Sequence, residues 1–396
     1  RKSLPDVASP GAVKLLWQEV DKRLTRKDRS WPGVWGTGYG GYSVGARSSS
    51  EPVRNWQEEW HDEKSFGGPK FDFRYWVKRY WSDFNCGAAC MKLAVIKTGP
   101  YKGTFTDNPD YELEAYLGPN LGIFDPGKCI YLSALIDYLG YSGINGPNTM
   151  AFAAELYQRG IITKEDLGFE LKWGDVEAFE KLARKIVKRE GIGDILAEGT
   201  YRAALKISKM KGVDVTKYAV HVKGVEIGAH GTRSGQDYEP IGYACSVQCG
   251  DHTSGVYDAY RDMRMIFLDS AVVCSFCDSD LLWDYYRAIT GWDTTEDEWN
   301  RTLGHRITHI QRAALLLGGP DIIWDPAVHD DNPPRYYEPL PSGPYKDKTT
   351  DKKTVEEMKK EYYEAIGWDE RGIPKSEVLR KLGLEDVDNV LEQLRK

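Results

Sequence analysis

Apolar residues recur at helical spacing along most of this 396-residue chain, while alternating strand patterns are scarce. Val176, Phe179, Leu182, Ala183, Ile186 and Val187 share one helical face, and Gly191 follows them. Asn148 and Thr149 precede a second run, Met150 to Tyr157, which Gly160 stops as a left-handed residue just past the helix. Ile195 to Ile207 reads as another helix. Thr295 with Glu298 and Thr354 with Glu357 are capping boxes that open two more, the last carrying Val355, Met358, Tyr362 and Ile366 on one face. His221 to Ile227 is the clearest extended candidate. The pattern is that of a mainly α protein. At about 150 residues per domain the length suggests two or three domains. Residues 1–80 read as a long irregular segment around a few short helices, and Pro333 to Pro344 as an ordered wrap or a linker.

Hydrophobic residues make up 41% and charged residues 29%, which excludes a disordered chain. A net charge of −7 argues against a general nucleic-acid binder. No apolar run approaches the roughly 18 residues that a membrane span needs. Thirteen Trp and 40 Gly suggest large aromatic contacts and many close backbone approaches. The chain opens on Arg1 with no apolar leader behind it, which suggests a fragment, or a start that was lost or processed. Seven Cys occur in bunches: Cys86 and Cys90, Cys129, Cys245 and Cys249, Cys274 and Cys277. A secreted disulfide scaffold would be shorter and denser in Cys. These read as reduced thiols of a cytoplasmic protein, some of them metal ligands.

Four motifs carry candidate chemistry. Gly36-Thr37-Gly38-Tyr39-Gly40-Gly41 satisfies the dinucleotide fingerprint formally, but no strand–turn–helix unit surrounds it, so a closely packed loop is the default reading. Cys86 and Cys90, four apart, place two sulfurs on one helical face or around one tight loop; Cys274 offers a third ligand from far along the chain. Cys245 and Cys249 form a rival pair, and a buried thiol is the bland alternative for all of them. Glu112, ahead of the Gly-rich stretch Gly118 to Gly122, is either a buried base or a surface helix charge. His252, in Gly250-Asp251-His252, is structural unless it faces a cofactor.

Several segments occur together in an order that resembles the tungsten-dependent aldehyde:ferredoxin oxidoreductase family. They are Cys86 to Cys90, Pro109-Asp-Tyr-Glu112, Asp137-Tyr-Leu-Gly140-Tyr-Ser142, Asn148 to Tyr157, Gly191 to Gly199, Val222 to Glu226, Tyr243 to His252, Asp269 to Cys274, Glu338 to Pro344, and Gly367 to Leu384. The resemblance implies a mainly α chain of two multihelical domains, here 1–215 and 216–396, like the family's domains 2 and 3. The N-terminal pterin-covering domain is then another part of the protein or a separate subunit. It implies a tungstopterin (bis-pyranopterin tungsten, or molybdenum) and a 4Fe–4S cluster, with Mg as an optional ion. The family's cluster motif falls on Asp83, Cys86, Cys90 and Cys274, with Asp83 at a position where a Cys is usual. Its pterin motifs fall on Asp137, Gly140, Tyr141 and Ser142, and on Asp269, Val273 and Ser275. Ser142 stands where the first motif has an acid, and Val272 where the second has Gly. Glu112 matches the base that takes a proton from the attacking water, and His252 the group that polarises the substrate carbonyl.

Three functions are implied. The first is oxidation of aldehydes to carboxylic acids, with electrons leaving through the cluster to ferredoxin or an iron–sulfur subunit. The second is reduction of an aromatic thioester of the benzoyl-CoA type. The third is a scaffold or assembly subunit that has lost its redox centre, motivated by Asp83, Ser142 and Val272.

Overall fold

The computed structural model describes residues 6–24, 41–62, 75–81, 90–107, 109–256, 258–277, 280–318 and 324–396. Helices dominate, as the spacing predicts. In chain order α1 is Pro10–Leu24, α2 Tyr111–Leu117, α3 Pro126–Leu139, α4 Asn145–Gln158, α5 Val176–Val187, α6 Ile192–Leu196 and α7 Thr200–Lys211. Beyond them lie α8 Ala259–Ala271, α9 Leu282–Thr290, α10 His305–Leu317, α11 Lys352–Ile366, α12 Ser376–Lys381 and α13 Glu385–Arg395. No helix among the described residues is long and apolar enough to cross a membrane.

The amphipathic run at Val176 folds as read: Val176, Phe179, Leu182, Ala183 and Ile186 are buried, and Asp175 caps the helix by accepting from the Ala178 amide at 3.1 Å. Gly160 takes its left-handed conformation (φ 69°) after α4. Other boundaries move, for local reasons. α4 begins at Asn145, so Asn148 and Thr149 lie inside it rather than capping it. Both are buried: Asn148 Nδ2 donates to Val220 O (3.3 Å), and the Thr149 hydroxyl meets Asn145 O and Thr200 Oγ1 (2.9 Å each). The expected helix from Ile195 to Ile207 is two helices. The break is at Gly199 (φ 83°, ψ 165°), where the buried Glu226 carboxylate accepts from the Thr200 amide at 2.7 Å and caps α7 from outside. Thr295 caps its helix, accepting from the Glu298 amide at 3.2 Å. In α11 the cap is Asp351 instead, which accepts from both the amide and the hydroxyl of Thr354.

His221 to Ile227 is a hairpin of β4 (His221–Val222) and β5 (Val225–Glu226), turned by Lys223 and Gly224, both at positive φ (47° and 80°). A three-stranded antiparallel sheet of β1 (Trp76–Trp81), β2 (Met91–Val95) and β3 (Phe105–Thr106) is additional to the helical reading. Its alternation is hidden in the sequence because Lys92 shares the inward face of β2 with Ala94.

The largest apolar cluster draws on residues 94 to 219, centred on α3, α4 and α5. A second, aromatic cluster joins early and late segments through Trp56, Tyr116, Tyr243 and Tyr336. Three smaller clusters lie under the later helices. The Pro-rich stretch is an ordered wrap: Tyr336 and Leu340 are buried, Arg335 grips both oxygens of Glu155 at 2.8 Å, and Ser342 donates to Glu58 at 2.7 Å. The fingerprint residues Gly36 to Gly40 lie outside the described residues.

Candidate active site

Glu112 occupies the first turn of α2, where unpaired helix amides favour an anion. One carboxylate oxygen, Oε2, accepts from the Ala229 amide at 2.8 Å. The other, Oε1, faces two imidazoles: His252 Nε2 at 3.1 Å and His230 Nε2 at 3.3 Å. The two rings stack with centroids 5.1 Å apart and planes 23° apart. On its far side His230 Nδ1 meets Asp237 Oδ2 at 2.7 Å.

Three segments build this group. The loop after β5 carries Ala229 and His230 and is pinned to α2 by the Tyr111 hydroxyl, which donates to Ala229 O at 2.5 Å. A 3₁₀ turn, His252–Ser254, brings His252; Asp251 opens it by accepting from Thr253, and Tyr238 donates to His252 O at 2.7 Å. The loop and the turn meet at Gly228, where any Cβ would lie 2.4 Å from the His252 side chain, and Gly228 N donates to Gly250 O at 3.0 Å. Behind them Glu51 and His61 form a buried pair, against which Gly45 packs so closely that a Cβ there would overlap both.

The electrostatics follow from this packing. Burial pushes the Glu112 carboxyl up, but the nearby His252, the His230 contact and the Ala229 amide outweigh it and hold the group below the ordinary carboxylate value. Burial disfavours the charge on His230, yet Asp237 and Glu112 on opposite nitrogens raise it to about 10. The site therefore presents an ionised carboxylate held by an imidazolium at neutral pH.

The two motifs read as pterin-binding form like turns. At the end of α3 Gly140 is left-handed (φ 75°), with Gly140 N donating to Asp137 O and Tyr141 N to Ile136 O. At the end of α8 Val272 adopts the same conformation (φ 56°), with Val272 N donating to Asp269 O and Val273 N to Leu268 O. Asp137 and Asp269 thus sit at the same place on two matching turns, both exposed, and Asp269 accepts from Gln248 at 2.9 Å. Gly140, Tyr141 and Ser142 line an open cleft of about 330 Å³ together with Asn145, Thr149 and Arg189. Val273 packs partly buried against the apolar cluster of Phe267, Leu268 and Trp283, and Ser275 is exposed on the next turn. A pterin edge rich in N–H donors suits two outward carboxylates on such turns, so the residues present fit the group.

Among the expected cluster ligands, Cys90 is half-buried just before β2 and Cys274 is exposed beside Val273. Asp83 and Cys86 lie outside the described residues. In the rival pair, Cys245 and Cys249 are both buried, and burial pushes both thiols up. The structure thus brings Glu112 and His252 together and adds His230 and Asp237, which the sequence reading passed over. The signal was available, since His230 stands in Gly228-Ala229-His230-Gly231, as glycine-flanked as His252.

A mainly helical body thus carries two like acid-bearing turns and a carboxylate between imidazoles. The family described as aldehyde ferredoxin oxidoreductase, domains 2 and 3, matches residues 16–384, and the chain belongs to it. The chain is 52% identical over 405 residues to the aliphatic sulfonate oxidoreductase, WOR-like subunit, of Pyrococcus furiosus, covering 99% of this chain and 64% of that one. It is 34% identical over 336 residues to the tungsten-containing aldehyde ferredoxin oxidoreductase of Pyrococcus horikoshii, covering 76% of this chain and 52% of that one. The chain therefore spans roughly half to two-thirds of these relatives. A solved structure, the active-site complex BamBC of benzoyl coenzyme A reductase with 1,5-dienoyl-CoA, superposes with a TM-score of 0.72 at 19% identity, over 98% of this chain and 67% of that one, and shows the shared fold.

Proposed function

We propose that the chain is the helical portion of a cytoplasmic tungsten- or molybdenum-containing bis-pyranopterin oxidoreductase that converts aldehydes to carboxylic acids. The balance is one aldehyde and one water giving one acid, two protons and two electrons. Bound tungstopterin would supply the two-electron redox centre, and a 4Fe–4S cluster held by Cys86, Cys90, Cys274 and Asp83 would pass the electrons singly to ferredoxin or an iron–sulfur subunit. The pterins would be held by Asp137 and Asp269 accepting ring N–H bonds, with Gly140, Tyr141, Ser142, Val273 and Ser275 alongside.

The observation that carries the reading is the position of Glu112 between His230 and His252, with its carboxyl held below the ordinary value. Held on one oxygen by the Ala229 amide, Glu112 takes a proton from the water that adds to the carbonyl. The His252 Nε2–H that faces Glu112 is the donor placed to turn to the carbonyl oxygen as charge develops there.

A second reading concerns the substrate. The 52% identity to an aliphatic sulfonate oxidoreductase subunit supports a sulfonate-bearing substrate in the same site. Metal analysis of the full-length protein should find tungsten or molybdenum with about four irons, the complement of one 4Fe–4S centre. Dye reduction with acetaldehyde, benzaldehyde and ethanesulfonate then separates the two substrate classes. Replacing Glu112 with Gln should lower kcat by roughly 100- to 10,000-fold with bound metal unchanged. Wild-type turnover in that variant would remove Glu112 from the mechanism.

A further inference from the structure

His230 and His252 touch the same oxygen of Glu112, but they are wired differently. His230 has an acid at each ring nitrogen, Glu112 Oε1 at 3.3 Å from Nε2 and Asp237 Oδ2 at 2.7 Å from Nδ1. His252 has Glu112 close on Nε2, but Asp251 Oδ1 is 3.8 Å from its buried Nδ1, which has no hydrogen-bond partner among the described residues. The His230 ring is also fixed in place. Tyr111 meets it edge-on at 5.1 Å, His252 stacks on it, Tyr238 lies at 6.1 Å, and the Tyr243 hydroxyl donates to His230 O at 3.0 Å. Asp237 belongs to neither pterin turn and not to the cluster set, and it faces solvent.

We propose that Asp237 and His230 are positioning residues: Asp237 holds His230 as an imidazolium against Glu112, and that cation keeps Glu112 ionised and aimed as a base. The inference rests on the reading of Glu112 above and deepens it. An imidazole between two carboxylates is stabilised in its doubly protonated form by the opposite charge on either side, here with a hydrogen bond on the Asp237 side. Neutralising either acid removes half of that support. The other charged or titratable groups facing His230 are Tyr111 on α2, Tyr238 on the same loop, His252 with Asp251 on the adjoining turn, and Glu51 behind Glu112. Tyr111 is held neutral by burial, so it adds no charge at working pH.

The test needs a readout that does not depend on turnover. Full-length protein labelled with ¹³C at histidine Cε1 is titrated by NMR, with the His230 signal assigned by its loss in His230→Gln. In the wild type the signal should stay in its protonated position through the neutral range. In Asp237→Asn its midpoint should fall by about 1 to 3 pH units, the usual effect of losing an adjacent opposite charge. In the metal-loaded protein the acid limb of kcat/KM should move to higher pH in Asp237→Asn with metal content unchanged, and Asp237→Glu should restore both the limb and the midpoint. A His230 midpoint at the ordinary imidazole value in the wild type, or an acid limb that Asp237→Asn leaves in place, would overturn the proposal. So would an Asp237→Glu variant that behaves like Asp237→Asn, since Asp237 would then be acting by shape alone. Full activity in Glu112→Gln, by contrast, sinks the reading of Glu112 itself and leaves the NMR result standing.

Discussion

Val272 is a β-branched residue at φ 56°, with 91% of its surface exposed. A left-handed conformation costs an L-residue roughly 1–2 kcal/mol, and an exposed side chain recovers little of that by packing. Val272→Gly should therefore raise the unfolding free energy, by about 0.5–1 kcal/mol after the extra freedom of glycine in the unfolded chain is deducted. A higher thermal midpoint checks this; an unchanged or lower one would show that the valine side chain stabilises the turn. The sequence revealed Val272 as a departure from a glycine pattern, but the backbone angle behind it needed the structure. His230 gives the pH dependence at this scale. Its value is raised from 6.5 to about 10, so its contribution to stability is full below 6.5 and fades as pH climbs through about 10. Glu112 is lowered, so its contribution is present above the ordinary carboxylate value of 4.5 and is lost only in stronger acid. Urea midpoints of wild type and His230→Gln should differ most below 6.5 and converge on the alkaline side. A gap that stays constant would show that the charge on His230 contributes nothing.

Elements are joined here by buried ions as much as by apolar faces. Asp330, 1% exposed, accepts from Lys223 in the β4–β5 turn at 3.0 Å and from Arg312 on α10 at 2.6 and 3.1 Å, and it takes a further hydrogen bond from Tyr363 on α11. Those two cations hold the Asp330 carboxyl well below the usual carboxylate range despite its burial. Asp330→Asn leaves Lys223 and Arg312 buried without their counter-ion and should cost about 3–5 kcal/mol. Denaturant unfolding at neutral pH would measure it, and a loss under 1 kcal/mol would mean that water replaces the acid. The same ties explain what could be read in advance. The stripe on Val176–Val187 was legible because its buried side chains are all apolar. The start of α4, the break at Gly199 and the inward face of β2 were not, because Asn148, Glu226 and Lys92 are polar residues that are buried, Asn148 and Glu226 against partners far away in sequence. Periodicity registers apolar burial and is blind to long-range polar burial.

Across the whole molecule, the two acid-bearing turns stand on separate cores. Asp137 follows Leu135 and Ile136 of the large cluster, and Asp269 follows Phe267 and Leu268 of another. A ligand gripped by both turns would clamp the two cores together. Stripping pterin and metal from the full-length protein should therefore lower its thermal midpoint, because a ligand at 1,000 times its dissociation constant contributes about 4 kcal/mol. Equal midpoints with and without the cofactor would count against both turns as its grip. The order of the motifs was legible along the whole chain, whereas the meeting of Glu112, His230, His252 and Asp237 was not, since three separate segments supply them. The wrap has a consequence of its own. Glu155 is fully buried between two cations, Arg159 four residues on and Arg335 180 residues later. During synthesis the first half of the chain emerges from the ribosome with Arg159 and Asn55 already able to reach that carboxylate, but without its second cation. A truncation ahead of the wrap would therefore remove one buried ion pair from this core and loosen it, rather than leave the acid bare.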